Sequence, residues 1–194
     1  MAIVIGNLST RIIDRRTSII TEPNKLDEYA KILSSIGTLL DKTEAYVKYP
    51  YVWGTYTIVV LPPSFPVGGM ENPLLTFASP TIMTPDGSGI YVATHEIAHS
   101  WTGNLVTCQD WSNLWLNEGF TTFIERRVSM QVDGEEFGKV ESLLGNQSFY
   151  DDMNGFGWNN SYSSLYPLVG NNAPDSASSQ VTYEKGQQFM QFLL

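Results

Sequence analysis

The residues of this sequence best able to do chemistry are two histidines four positions apart with a glutamate between them, His95-Glu96-Ile97-Ala98-His99, and they are its only histidines. On a helix, positions i and i+4 lie one above the other, so the two imidazoles can share a single metal ion at the ~2.0–2.1 Å of a zinc–nitrogen bond. Glu96 is one step round the same helix, beside the pair. From there it can reach a water at the metal and act as a base without itself being a ligand. Ile90, Ala93, Ile97 and Trp101 fall within about 80° of one another at about 100° per residue, which gives the helix a separate stripe to bury. Paired helical histidines can also be satisfied core groups, but a glutamate in the one place a base is needed weighs against accident.

Glu118 follows His99 by nineteen positions, in Trp115-Leu116-Asn117-Glu118-Gly119-Phe120, and supplies a third ligand. A zinc ion with two histidines and one carboxylate keeps a fourth position open, which marks a catalytic rather than a structural site. Glu125 is seven residues further and returns to the same helix face. It can accept the remaining ring N–H of a ligand histidine. A surface ion pair with Arg126 or Arg127 is an equally good reading of that position.

These residues need elements to hold them. The spacing predicts helices over about 89–102, 117–132, 134–150 and from Glu184 to the end. Before them, Leu26, Tyr29, Ala30, Leu33, Ile36 and Leu40 recur at helical spacing, with Gly37 placed to bend or divide that helix. Ile3–Ile5 and Thr17–Ile20 read as short strands, Tyr56–Leu61 is the clearest strand, and another is expected near Leu74–Ala78. Met153–Gln180, rich in Gly, Asn and Ser, reads as a long loop. Strands first and helices afterwards is an α+β arrangement.

Composition narrows the function classes. The chain has 194 residues, a formal charge of −9 and 11 Lys and Arg that form no stripe, which argues against nucleic-acid binding. An acidic surface favours substrates with a positive group. No apolar run reaches the ~18 residues of a membrane span, and the first residues lack the basic start of a signal peptide. The single cysteine, Cys108, suits a reducing compartment. The expectation is a soluble cytoplasmic protein.

His95-Glu96-Ile97-Ala98-His99 and Asn117-Glu118-Gly119, with eighteen residues between His99 and Glu118, resemble the signature of the gluzincin aminopeptidases. Gly68-Gly69-Met70-Glu71-Asn72 resembles that family's exopeptidase motif, and Tyr183-Glu184-Lys185-Gly186 resembles the segment bearing its catalytic tyrosine. Tyr51-Val52-Trp53-Gly54, Leu61-Pro62-Pro63-Ser64-Phe65-Pro66 and Ser100-Trp101-Thr102-Gly103-Asn104 are most similar to the leukotriene hydrolase branch.

The resemblance implies a thermolysin-like catalytic domain, a small strand region followed by a mainly helical lobe, with one zinc ion per chain. It implies a division into 1–21, the end of an amino-terminal β-domain or linker strands, and 22–194, a catalytic domain shorter than the family's at its carboxyl end. Glu96 is then the general base, Tyr183 the oxyanion donor, and Gly68, Gly69, Met70, Glu71 and Asn72 bind the substrate. Glu71 would hold the protonated amino terminus of a peptide, while Gly68 and Gly69 would let its backbone approach. The rival readings are a zinc endopeptidase, a lipid-epoxide hydrolase and a catalytically incomplete fragment. For the second, Asp175 matches an acidic position of the leukotriene branch, but Ser178 stands where that branch has a further tyrosine. For the third, the apolar end Phe192-Leu193-Leu194 suggests contact with absent family domains or self-association.

Overall fold

The computed structural model describes residues 2–170 and 178–194; Asp175 lies outside them. The chain forms two compact units, residues 1–100 and 101–194. The sequence expectation of a boundary at 21/22 falls inside the sheet of the first unit, because strands on both sides of it are hydrogen-bonded together.

That sheet has five strands: β1 (Ser9–Ile12), β2 (Thr17–Thr21), β3 (Tyr56–Val60), β4 (Gly69–Met70) and β5 (Leu75–Ala78), in the order β1-β2-β3-β5-β4. β2, β3 and β5 run parallel, and the two outer strands are antiparallel to their neighbours. β3 is buried along its whole length, as a central strand covered on both faces should be. The first strand is Ser9–Ile12 rather than the β-branched run Ile3–Ile5, which is not paired; Ile3 and Ile5 are 75% and 93% exposed. Asp14 decides this. Its Oδ1 accepts from the backbone N–H groups of Arg16 and Thr17 at 2.8 and 2.9 Å, closing the turn that puts Ser9 opposite Thr21.

Helix α1 (Leu26–Ile32) and helix α2 (Ile36–Val47) are divided by the 3-10 turn Leu33–Ser35, just before Gly37 rather than at it. Gly37 instead makes room for Asp14, since a Cβ there would overlap the Asp14 carboxylate. Helix α3 (Tyr91–Ala98) is shorter at each end than the expected 89–102.

The second unit is helical. Helix α4 (Leu114–Asp133) begins three residues before the expected 117, because Asp110 accepts from Ser112 N–H and from the Asn113 amide, both at 3.0 Å, and starts a 3-10 turn that runs into it. Helix α5 (Glu135–Phe156) runs past the expected 150 into the Gly/Asn-rich stretch. The last helix, α6 (Gly186–Phe192), is preceded by a π-helical turn, Val181–Lys185, where the sequence predicts ordinary helix from Glu184. The fold is α+β, and among the described residues no helix is long and apolar enough to cross a membrane.

Helix α4 buries much polar surface: Asn117, Glu118, Thr121, Thr122, Glu125, Arg126 and Ser129 are all buried. Burial also pushes the nearby Glu141 carboxyl up to about 8, with the charge on Glu125 adding to the effect and Arg126 opposing it. An unfolded glutamate titrates near 4.3, so the folded chain binds the extra proton between those values. Stability contributed by the neutral form is therefore complete below about pH 4.3 and is lost as pH rises towards about 8. Glu141→Gln should melt like the parent at pH 4 and progressively higher than the parent up to pH 8. Thermal melts across that range check this, and a pH-independent difference would contradict it.

Candidate metal centre

Helix α3 opens from a loop held by its own side chains. Asp86 Oδ1 accepts from the Ser88 N–H at 3.0 Å and from the Ser88 hydroxyl at 2.7 Å, while Thr84 Oγ1 accepts from the Gly89 N–H at 3.0 Å. The two Ser88 bonds hold the Asp86 carboxyl at about 2. Gly89 lies against the backbone of Ile82, where a Cβ would stand 2.9 Å from both Cα and the carbonyl carbon. At the other end the Trp53 indole N–H donates to the Ser100 carbonyl at 2.9 Å, fixing the turn that follows the helix.

Between these anchors, His95 and His99 project together. Their Nε2 atoms are 3.1 Å apart and their rings stand nearly perpendicular, at 81° with centroids 4.7 Å apart. Two nitrogens bound to one tetrahedral zinc ion at ~2.0–2.1 Å would be roughly 3.3–3.4 Å apart, so the pair is already spaced for a shared ion. His99 is fully buried and His95 partly so, while Ala93 and Ile97 anchor the rest of the helix in the core.

The sheet edge brings a carboxylate to the same place. β4 pairs with β5 through Gly69↔Ala78 and Met70↔Phe77, and Ser79 N–H donates to the Gly68 carbonyl at 2.8 Å. The chain then turns at once, Asn72 N–H donating to the Met70 carbonyl at 2.9 Å, with Leu74 in the left-handed region at φ 73°. Glu71 sits at this turn, and donor atoms of Glu71, Glu96 and His99 all lie within 4.8 Å of one another. A cluster of one imidazole and two carboxylates, two of its members buried, suits a cation.

Gly69 has a role that the sequence did not give it. A Cβ at this position would meet the Glu96 side chain, 2.5 Å from Cδ and 2.7 Å from Cγ, so the absent side chain seats Glu96. Gly68 differs: a Cβ there would touch only Val92, at an ordinary 3.7 Å. Met70 is exposed and Asn72 half-buried.

In the second unit, Glu118 is buried in the first turns of α4, and the preceding Asn117 accepts from the Cys108 N–H at 3.0 Å. Glu125 is buried two turns on, not at the surface. Tyr183 occupies the middle of the π-helical turn and is half-buried. Ser178 is exposed. Sequence spacing offers Arg126 only as a surface partner of Glu125, whereas it forms a buried two-point ion pair with Glu184, Nη1 to Oε2 at 2.8 Å and Nη2 to Oε1 at 2.5 Å. A partner 58 positions away leaves no periodic trace.

The family model described as "Peptidase family M1 domain" matches residues 32–194. Leucine aminopeptidase 2 of Aspergillus clavatus is 42% identical over 193 residues, covering 99% of this chain and 31% of that protein. Leukotriene A-4 hydrolase of Xenopus laevis is 43% identical over 193 residues, covering 100% of this chain and 32% of that one. Among solved structures, yeast LTA4 hydrolase in complex with bestatin superposes with a TM-score of 0.92 at 37% identity, covering 97% of this chain and 30% of that one. The chain thus spans less than a third of the length of the relatives it matches.

Gly89→Ala tests how far the entry to α3 depends on close backbone approach. The added methyl has to displace the Ile82 backbone or the start of the helix, and overpacking of this kind costs roughly 1–3 kcal/mol. Denaturant unfolding should show that loss, and an unchanged midpoint would mean that the approach is not close in solution.

Proposed function

This chain belongs to peptidase family M1, and from that premise we propose that it is the zinc-binding catalytic part of an aminopeptidase, with His95, His99 and Glu118 as ligands of one zinc ion. The observation that carries the reading is the His95–His99 pair, with Nε2 atoms 3.1 Å apart and the Glu96 and Glu71 carboxylates gathered at His99. The relatives named as leucine aminopeptidases and as leukotriene hydrolase support the same class of chemistry.

A zinc ion in this site would supply a Lewis acid for the scissile carbonyl and acidify the attacking water. Glu96 is buried and oriented by the space at Gly69, so it can take the proton from that water and later pass it to the departing amine. Glu71 offers its carboxylate to the protonated amino terminus of the substrate, whose pKa of about 7.7–8.0 keeps it largely charged at neutral pH. Holding the first residue there sets the first peptide bond beside the base. Tyr183 donates its hydroxyl to the carbonyl oxygen as negative charge develops. Glu125, buried two turns beyond Glu118, orients a histidine ligand by accepting from the ring N–H on the side away from the ion.

Metal analysis of the purified chain should give about one zinc ion per chain, lost on His99→Ala and kept in Glu96→Gln. Glu96→Gln should slow release of a chromogenic amino acid by about 100- to 10,000-fold. A zinc-free parent chain would overturn the ligand assignment.

Glu71→Ala separates an aminopeptidase from an endopeptidase. It should weaken cleavage of free-amino substrates strongly and leave amino-blocked peptides unaffected. Faster cleavage of blocked than of free-amino peptides by the parent would overturn the exopeptidase reading.

A further inference from the structure

Two attachments join α4 to the segment that carries Tyr183, and each lies next to a residue of the proposed mechanism. Gly119 directly follows Glu118, and it meets Gly186: a Cβ on Gly119 would stand 2.7 Å from the Gly186 Cα, and one on Gly186 would stand 2.8 Å from the Gly119 Cα. Glu184 directly follows Tyr183, and both of its carboxylate oxygens accept from the Arg126 guanidinium, with side chains only 5% and 7% exposed. Gly119 and Arg126 are seven residues apart and so share one face of α4. The two contacts therefore grip the π-helical turn and the start of α6 at two points along a single helix.

Helix α5 closes the grip. At Gly145 a side chain would overlap both Glu184 and Arg126, so the ion pair fills the place of a missing Cβ, and Arg126 Nη2 also donates to the Glu141 carbonyl at 3.4 Å. Lys185 donates to the Ser163 carbonyl at 2.9 Å, tethering the far side of the turn. A π-helical turn shifts every later side chain relative to a regular helix, so something must set its phase.

We propose that Arg126 and Glu184 are positioning residues for the reaction: their buried ion pair fixes the π-helical turn so that the Tyr183 hydroxyl keeps one place relative to Glu118. This rests on the reading of Tyr183 and Glu118 given above. The planar guanidinium fork suits a two-point contact with a carboxylate, which the single ammonium of a lysine does not reproduce. Arg126→Lys keeps the charge and loses the fork; Glu184→Gln keeps the shape and loses the charge.

The experiment compares these two variants in the full chain, alone and combined with Tyr183→Phe. Each single variant should retain its zinc and its KM and lose about 10- to 100-fold in kcat, the cost of a misplaced catalytic group. In the Tyr183→Phe background the same changes should cost almost nothing further, because the group they position is gone. Hydrogen exchange of residues 179–188 should quicken in Arg126→Lys while exchange over 114–124 stays as in the parent. A kcat loss that persists undiminished in Tyr183→Phe overturns the positioning role alone. Parent-like kcat in Tyr183→Phe itself overturns the reading of Tyr183 and this inference with it. Parent-like exchange and kcat in both Arg126→Lys and Glu184→Gln overturn the positioning role as well.

Discussion

The structure depends on keeping a polar cluster largely out of water on the first compact unit. Glu96 and His99 are buried, and His95 and Glu71 are partly so. Desolvating carboxylates costs several kcal/mol each unless something of opposite charge compensates. A fold tolerates that arrangement only when the surrounding backbone leaves the side chains nowhere else to go. The Asp86 and Thr84 turn, the close passage of Gly89 over Ile82, the Trp53 bond to Ser100 and the open space at Gly69 all serve that end.

What could be read from the sequence divides along the same line. The histidine pair was legible because helical spacing is a local rule, and the structure places the two nitrogens facing each other as that rule requires. Strands β2, β3 and β5 were legible for the same reason, each being a short β-branched or aromatic run. The first strand was not: composition favoured Ile3–Ile5, while the turn chemistry of Asp14 chose Ser9–Ile12. Helix α4 began early because Asp110 caps the 3-10 turn before it, a signal present in the sequence but outweighed by the apolar spacing further on.

The long-range features had no local signal at all. The motif gives Gly69 to substrate approach, yet a Cβ at that position would overlap the Glu96 side chain. Arg126 and Glu184 are ordinary charged residues until α4 and the π-helical turn meet. Helix α4 defeats simple pattern reading because many of its buried positions are polar. Thr121, for instance, donates to the Thr102 carbonyl at 2.9 Å, and its hydroxyl also lies 2.6 Å from that of Thr102. Hydrogen bonds of this sort satisfy buried groups one by one, and no hydrophobic period announces them.

Gly119 and Gly186 touch main chain to main chain, with no side chain between them. Most helix contacts are cushioned by rotamers, whose freedom grows on warming and lets neighbours drift. Here there is no such cushion. The spacing between these two segments is set by peptide groups whose shape barely changes with temperature, so the joint works as a fixed datum from which the rest of the helical unit is measured.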